Sequence, residues 1–131
     1  MKQEDVIRVL RDGIDDPIAI YLFGSAASGA VHDASDIDLA VLPREPLLSA
    51  TRWNLQQELA IALQCDVDLV DLRSASTVLR FQVVTTGDLL YDGDPRKRAE
   101  FEMVTLSMYA RFNEERREIL EQVRRDGRIY A

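Results

Sequence analysis

The chain is poor in the residues that most often announce a site. It holds one cysteine, Cys65, and one histidine, His32. A lone cysteine excludes an internal disulfide and fits a reducing, cytoplasmic setting. A lone histidine excludes a histidine-rich zinc centre. No run approaches the roughly 18 apolar residues of a membrane span. The opening Met1-Lys2-Gln3-Glu4-Asp5 is charged, with no apolar stretch behind it, so it does not resemble a signal peptide. Positive charge is short as well: 16 Lys and Arg against 23 Asp and Glu leave a net −7. Nucleic-acid backbones would be repelled by that balance unless cations were concentrated locally, so no direct nucleic-acid partner is expected, and no membrane partner.

What is present is a well-supplied core and many carboxylates. Apolar residues make up 47% of the chain, enough for a buried interior. A length of 131 residues suits one domain spanning 1–131. Carboxylates are natural ligands for Mg²⁺, so an acidic composition leaves metal-dependent nucleotide chemistry open.

The periodicity predicts a short amphipathic helix over Lys2–Asp12, stopped at Gly13, and a buried strand over Pro17–Phe23. Small residues Ala26–Ala30 suggest a short helix, and Asp36–Leu42 a second strand closed by Pro43. Leu47–Gln64 reads as a helix, Asp66–Leu72 as a third strand, Ser76–Thr86 as a helix ending at Gly87, and Leu89–Tyr91 as a short edge strand. Asp94-Pro95 supplies an N-cap before a proline at the first helical position, opening a long helix to about Asp126. Its Phe101, Val104, Met108 and Phe112 form an apolar stripe; beyond Phe112 only Ile119, Leu120 and Val123 interrupt the charges, giving either a solvated helix or a docking surface. The expected fold is α/β (α+β): a mixed sheet of three or four strands, helices mainly on one face, and a long C-terminal helix.

Three local patterns suggest chemistry. In Asp36-Ile37-Asp38 the two carboxylates project from the same strand face, while Ile37, Leu39 and Val41 project from the other. Like charges about 6 Å apart repel by roughly 2–3 kcal/mol at an effective dielectric of about 20, a cost that a bound cation relieves. Alone, such a pair is usually a polar strand start. Gly24-Ser25 ends the first strand, where a backbone without Cβ and a free helix N-terminus can approach a phosphate, although alone it is usually a tight turn. In Asp66-Val67-Asp68-Leu69, Asp66 and Asp68 share a face and Asp71 has the opposite parity. Asp68 lies further into the strand, better placed to meet Asp36 and Asp38, and Asp66 is expected only to cap.

The combination is more specific than its parts. Gly24-Ser25, ten residues from Ala26 to Ser35, and then Asp36-Ile37-Asp38 give G-S-x10-D-x-D between a strand and a strand. With YLFGSAASGAVHDASDIDLAVL, CDVDLVDL and TTGDLLYDGDPRKRAEFE before a long helix, the chain resembles, over its whole length, the minimal nucleotidyltransferases (MNT) of the polymerase-β-like superfamily. In particular it is similar to MntA-type antitoxins of HEPN/MNT toxin–antitoxin pairs. The resemblance implies a nucleotidyltransferase fold in which Gly24 and Ser25 hold the triphosphate of ATP. It also implies that Asp36, Asp38 and Asp68 are catalytic and bind Mg²⁺, two ions rather than one, with Asp68 near the attacking hydroxyl. By the same resemblance the acceptor would be a tyrosine of a HEPN-type toxin, an RNase, silenced by AMP transfer with release of pyrophosphate.

Other residues have plainer readings. Arg73 and Arg80 could reach the triphosphate, but surface positions are expected; His32 is expected at the surface, Tyr21 in the core, and Trp53 in packing. The Arg96-Lys97-Arg98 and Arg124-Arg125 clusters are expected to be solvated, and Tyr130 to lie near a frayed end. Two competing functions remain: the same chemistry on a small-molecule acceptor, as in aminoglycoside nucleotidyltransferases, and a non-catalytic antitoxin that acts by occlusion.

Overall fold

The computed structural model describes residues 1–24 and 36–126. The elements are α1 (Gln3–Gly13), β1 (Ala19–Phe23), β2 (Ile37–Leu42), α2 (Ser49–Leu63), β3 (Val67–Asp71), α3 (Thr77–Thr86), β4 (Asp88–Asp92) and α4 (Pro95–Asp126). The short helix expected over Ala26–Ala30 lies outside the described residues, as do Ser25, His32 and Tyr130. The local signals behind these boundaries are chemical. Ser76 accepts the Leu79 N–H at the start of α3, and Asp94 accepts the Lys97 N–H at the start of α4, with Pro95 at the first helical position. Gln64 closes α2 in the left-handed conformation, φ 56°.

The four strands form one mixed sheet in the order β3-β2-β1-β4. β1 is antiparallel to both β2 and β4, while β2 and β3 are parallel and joined through α2. β3 and β4 are therefore the edges. On β3 the edge is protected by α2: the Leu69 N–H donates to Gln56 Oε1 at 2.9 Å, and Arg52 Nη1 donates to the Leu69 carbonyl at 3.2 Å.

The mixed four-stranded sheet and the long C-terminal helix match the sequence reading. Placement of helices mainly on one face does not. α1 and α2 pack Val6, Val9, Leu10, Leu55 and Leu59 against Ile20, Leu22, Leu39, Val41, Val67 and Leu69. On the opposite face, Ala19, Tyr21, Phe23, Ala40 and Leu42 meet Val83 and Leu79 of α3 and Phe101 of α4. The reason is visible in β1, which is buried at every position; a strand apolar on both faces needs cover on both.

α4 also docks differently from the stripe expected for it. Val104, Met108 and Phe112 are exposed, whereas Thr105 is buried and Tyr109 stacks on Phe81 with ring centroids 3.7 Å apart. Phe101 of the expected stripe does pack on the sheet face, and the contacts beside it are polar. The buried Tyr21 hydroxyl donates to Glu102 Oε2 at 2.8 Å, and Arg98 pairs with Glu102 at 2.8 Å and with Asp92 at 2.9 Å. Arg98 is thus held rather than solvated. A buried phenol requires a partner, and Glu102 of α4 supplies it. At 32 residues α4 is about 48 Å long. Among the described residues no helix is long and apolar enough to cross a membrane.

Candidate active site

One end of the sheet gathers the acidic residues. β1 ends at Phe23, whose antiparallel partner is Asp38 near the start of β2. Asp38 is in turn the direct partner of Asp68 on the parallel strand β3. Neighbouring strands lie about 4.8 Å apart, and matched positions project to the same face, so Asp38 and Asp68 stand side by side. The face is the one covered by α3 and α4, because Asp38 shares parity with Ala40 and Leu42. The helices leave this corner open: Asp38 is half-buried, while Asp68 and Asp36 are exposed.

Gly24 turns the chain away immediately after β1. Its φ of +72° lies in the left-handed region, and a Cβ built there would collide with Asp38 Oδ2. The glycine is therefore required twice, by its backbone conformation and by the carboxylate against it. Ser25, the other expected phosphate contact, lies outside the described residues.

The electrostatics follow from this placement. Partial burial, then the neighbouring Asp68 carboxylate, then Asp36, push the Asp38 carboxyl above its ordinary value. An Asp38 carboxylate disfavoured in this way by its two acidic neighbours makes a local demand for a cation, and hard carboxylate oxygens suit Mg²⁺. Among the described residues no three such side chains converge closely enough to enclose a metal by themselves. That arrangement fits an ion that takes one or two carboxylates and draws the rest of its shell from phosphate oxygens and water.

The remaining acidic and basic residues of the sequence reading separate cleanly. Asp66 is exposed, and its carbonyl accepts the Ile37 N–H at 3.0 Å, holding β2 and β3 together at the site end. Asp71 is buried and structural: it accepts from the Leu47 N–H at 2.8 Å, the Arg73 N–H at 2.9 Å and the Ser74 hydroxyl at 3.3 Å. Arg73 and Arg80 sit at the far end of the sheet from Gly24. Arg73 Nε donates to the Pro43 carbonyl at 2.9 Å, and Arg80 donates to the Leu72 and Arg73 carbonyls at 2.8 Å each. Trp53, expected in packing, is 54% exposed. The Tyr21–Glu102 contact escaped the sequence reading, since nothing local links residues 81 positions apart.

The family described as "Polymerase beta, Nucleotidyltransferase" matches residues 4–96. A curated relative, "Protein adenylyltransferase MntA" of Shewanella oneidensis, is 48% identical over 123 residues, covering 94% of this chain and 88% of that protein. A crystal structure of a toxin–antitoxin with AMP-PNP superposes with a TM-score of 0.86 at 48% identity, over 94% of this chain and 98% of that one. A tri-AMPylated Shewanella oneidensis HEPN toxin in complex with MNT antitoxin matches at a TM-score of 0.78 and 46% identity, over 92% and 94% of the two chains. A mixed sheet with paired carboxylates at the turn end of its first strands, matched in sequence over most of its length, places this chain in the polymerase-β nucleotidyltransferase family, among the relatives of MntA.

Proposed function

We propose that this chain, residues 1–131 acting as one catalytic domain, is a cytoplasmic, Mg²⁺-dependent protein adenylyltransferase. In this reading it is an antitoxin that transfers AMP from ATP to a tyrosine of a HEPN-type toxin. What carries the reading is the 48% identity to protein adenylyltransferase MntA over 94% of the chain. The similarity to a complex containing an AMPylated HEPN toxin supports the acceptor class, and the similarity to a complex with AMP-PNP supports ATP as donor.

In the mechanism, Gly24 and Ser25 hold the triphosphate, because a backbone free of Cβ lets the phosphates approach the N–H groups closely. Asp36 and Asp38 present oxygens on one side of the α-phosphate and Asp68 on the side of the acceptor. The tyrosine oxygen forms a bond to the α-phosphorus as the bond from that phosphorus to the bridging oxygen of pyrophosphate breaks. Asp68 accepts the phenolic proton. Asp36, Asp38 and Asp68 would hold the metal, two Mg²⁺ ions in this reading, which when bound would offset phosphate charge and stabilise the entering and leaving oxygens. The products are an AMP phosphodiester on tyrosine and free pyrophosphate.

The test is to incubate the chain with Mg²⁺, ATP and a HEPN-type toxin, and to weigh both proteins intact. A mass gain of one or more AMP units on the HEPN protein is expected, and its loss in Asp36→Asn/Asp38→Asn. A stable complex with no mass gain on either protein would replace catalysis with occlusion.

A further inference from the structure

At the opposite end of the sheet from Gly24, a hollow of about 300 Å³ opens between the start of α3 and the first turns of α4. Arg73, Arg80 and Lys97 line it, with Glu100 the only carboxylate among the described residues and Phe101 and Thr105 among its remaining wall residues. We propose that this hollow is a binding seat for a phosphoryl group, separate from the carboxylate end and independent of the catalytic reading.

The charge pattern is the first ground. Among the described residues none of these three cations is in an ion pair, whereas Arg44, Arg96 and Arg98 all are. In a chain of net charge −7, with carboxylates in excess, gathering three unpaired cations around one cavity runs against composition. Like charges brought together without a counter-ion repel, and an anion between them reverses the sign of that energy.

Preorganisation is the second. Arg73 is anchored through Nε to the Pro43 carbonyl, and Arg80 through Nε and Nη2 to the Leu72 and Arg73 carbonyls. Both guanidinium carbons lie 5.8 Å from the centre of the Phe101 ring. Each side chain is thus fixed by part of its donor set, and the other N–H groups have no acceptor among the described residues. Fixed guanidinium forks match the oxygens of a phosphoryl group, and their immobilisation is already complete before an anion arrives. Three cations favour a polyanion over a single carboxylate, and the volume admits pyrophosphate or the phosphate end of a nucleotide.

The experiment is a calorimetric titration of the full chain in EDTA, which suppresses metal-dependent binding at Asp36, Asp38 and Asp68. The probes are inorganic phosphate, pyrophosphate and AMP. Pyrophosphate is expected to bind at one site per chain and more tightly than phosphate. Lys97 and Glu100 are exposed, so their substitution leaves the fold intact. Lys97→Ala should weaken pyrophosphate binding about three- to tenfold, and Glu100→Gln should tighten it about threefold. AMP binding as tightly as pyrophosphate would assign the seat to a nucleotide phosphate, and pyrophosphate binding alone would assign it to inorganic polyphosphate. Absence of binding, or binding that neither substitution alters, would overturn the proposal.

Discussion

Gly24 and Asp38 occupy one another's margin: the left-handed glycine at the end of β1 leaves no room for a Cβ beside Asp38 Oδ2. The turn expected to hold phosphate and the carboxylate expected to hold metal are therefore in contact through a missing side chain. Gly24→Ala should introduce backbone strain of about 1–2 kcal/mol and displace the Asp38 carboxylate. AMP transfer, followed by intact mass over time, is expected to slow at least about 100-fold, while melting falls only a few degrees. Transfer at the wild-type rate would separate the turn from the chemistry.

Asp68 and Asp71 belong to one short strand and should respond in opposite ways. Asp68→Asn removes an exposed charge beside Asp38, so the metal-free protein should melt at the same temperature or slightly higher, while transfer falls by about three orders of magnitude. Thermal melts in EDTA, paired with a transfer assay, read both quantities.

Asp71→Asn should do the reverse. The amide offers one oxygen where the carboxylate accepts three hydrogen bonds, two of them at Oδ2. A loss of about 1–3 kcal/mol in chemical denaturation is expected, with ATP binding retained in the fraction that stays folded. Unchanged stability would remove Asp71 from the framework.

The Tyr21–Glu102 bond predicts both a mutational and an alkaline effect. Burial, and then the hydrogen bond to Glu102, push the Tyr21 hydroxyl far above its ordinary value. The folded chain keeps a proton that the unfolded chain releases near pH 10, so this stability is present below that pH and declines above it. Tyr21→Phe should cost about 1–2 kcal/mol at neutral pH and flatten the alkaline decline. Denaturant titrations of both proteins between pH 8 and about 11 would show whether the slopes differ.

Much of the molecule was legible because its signals are local. Alternation placed Asp38 on the face opposite the aliphatic Leu39 and Val41, and β2 bears that parity out. Asp94-Pro95 opened a long helix by capping chemistry that needs only neighbouring residues. The long α4 is the limit of the same method. Its apolar spacing pointed to Phe101, Val104, Met108 and Phe112, yet the docked side carries Phe101 together with Glu102, Thr105 and Tyr109, and the other three are exposed. Periodicity weighs hydrophobic residues and cannot see a buried phenol awaiting an acceptor.

What the sequence by itself determined is the set of elements, the parity of the carboxylates on each strand, and the glycine at the turn, because each depends on residues within a few positions of one another. Tertiary structure alone decided that Asp38 pairs with Asp68, that helices cover both sheet faces, and that Arg73 and Arg80 close the far end. Strand order and register are set by the sum of many distant contacts, each worth little alone, and no short stretch of chain carries that sum.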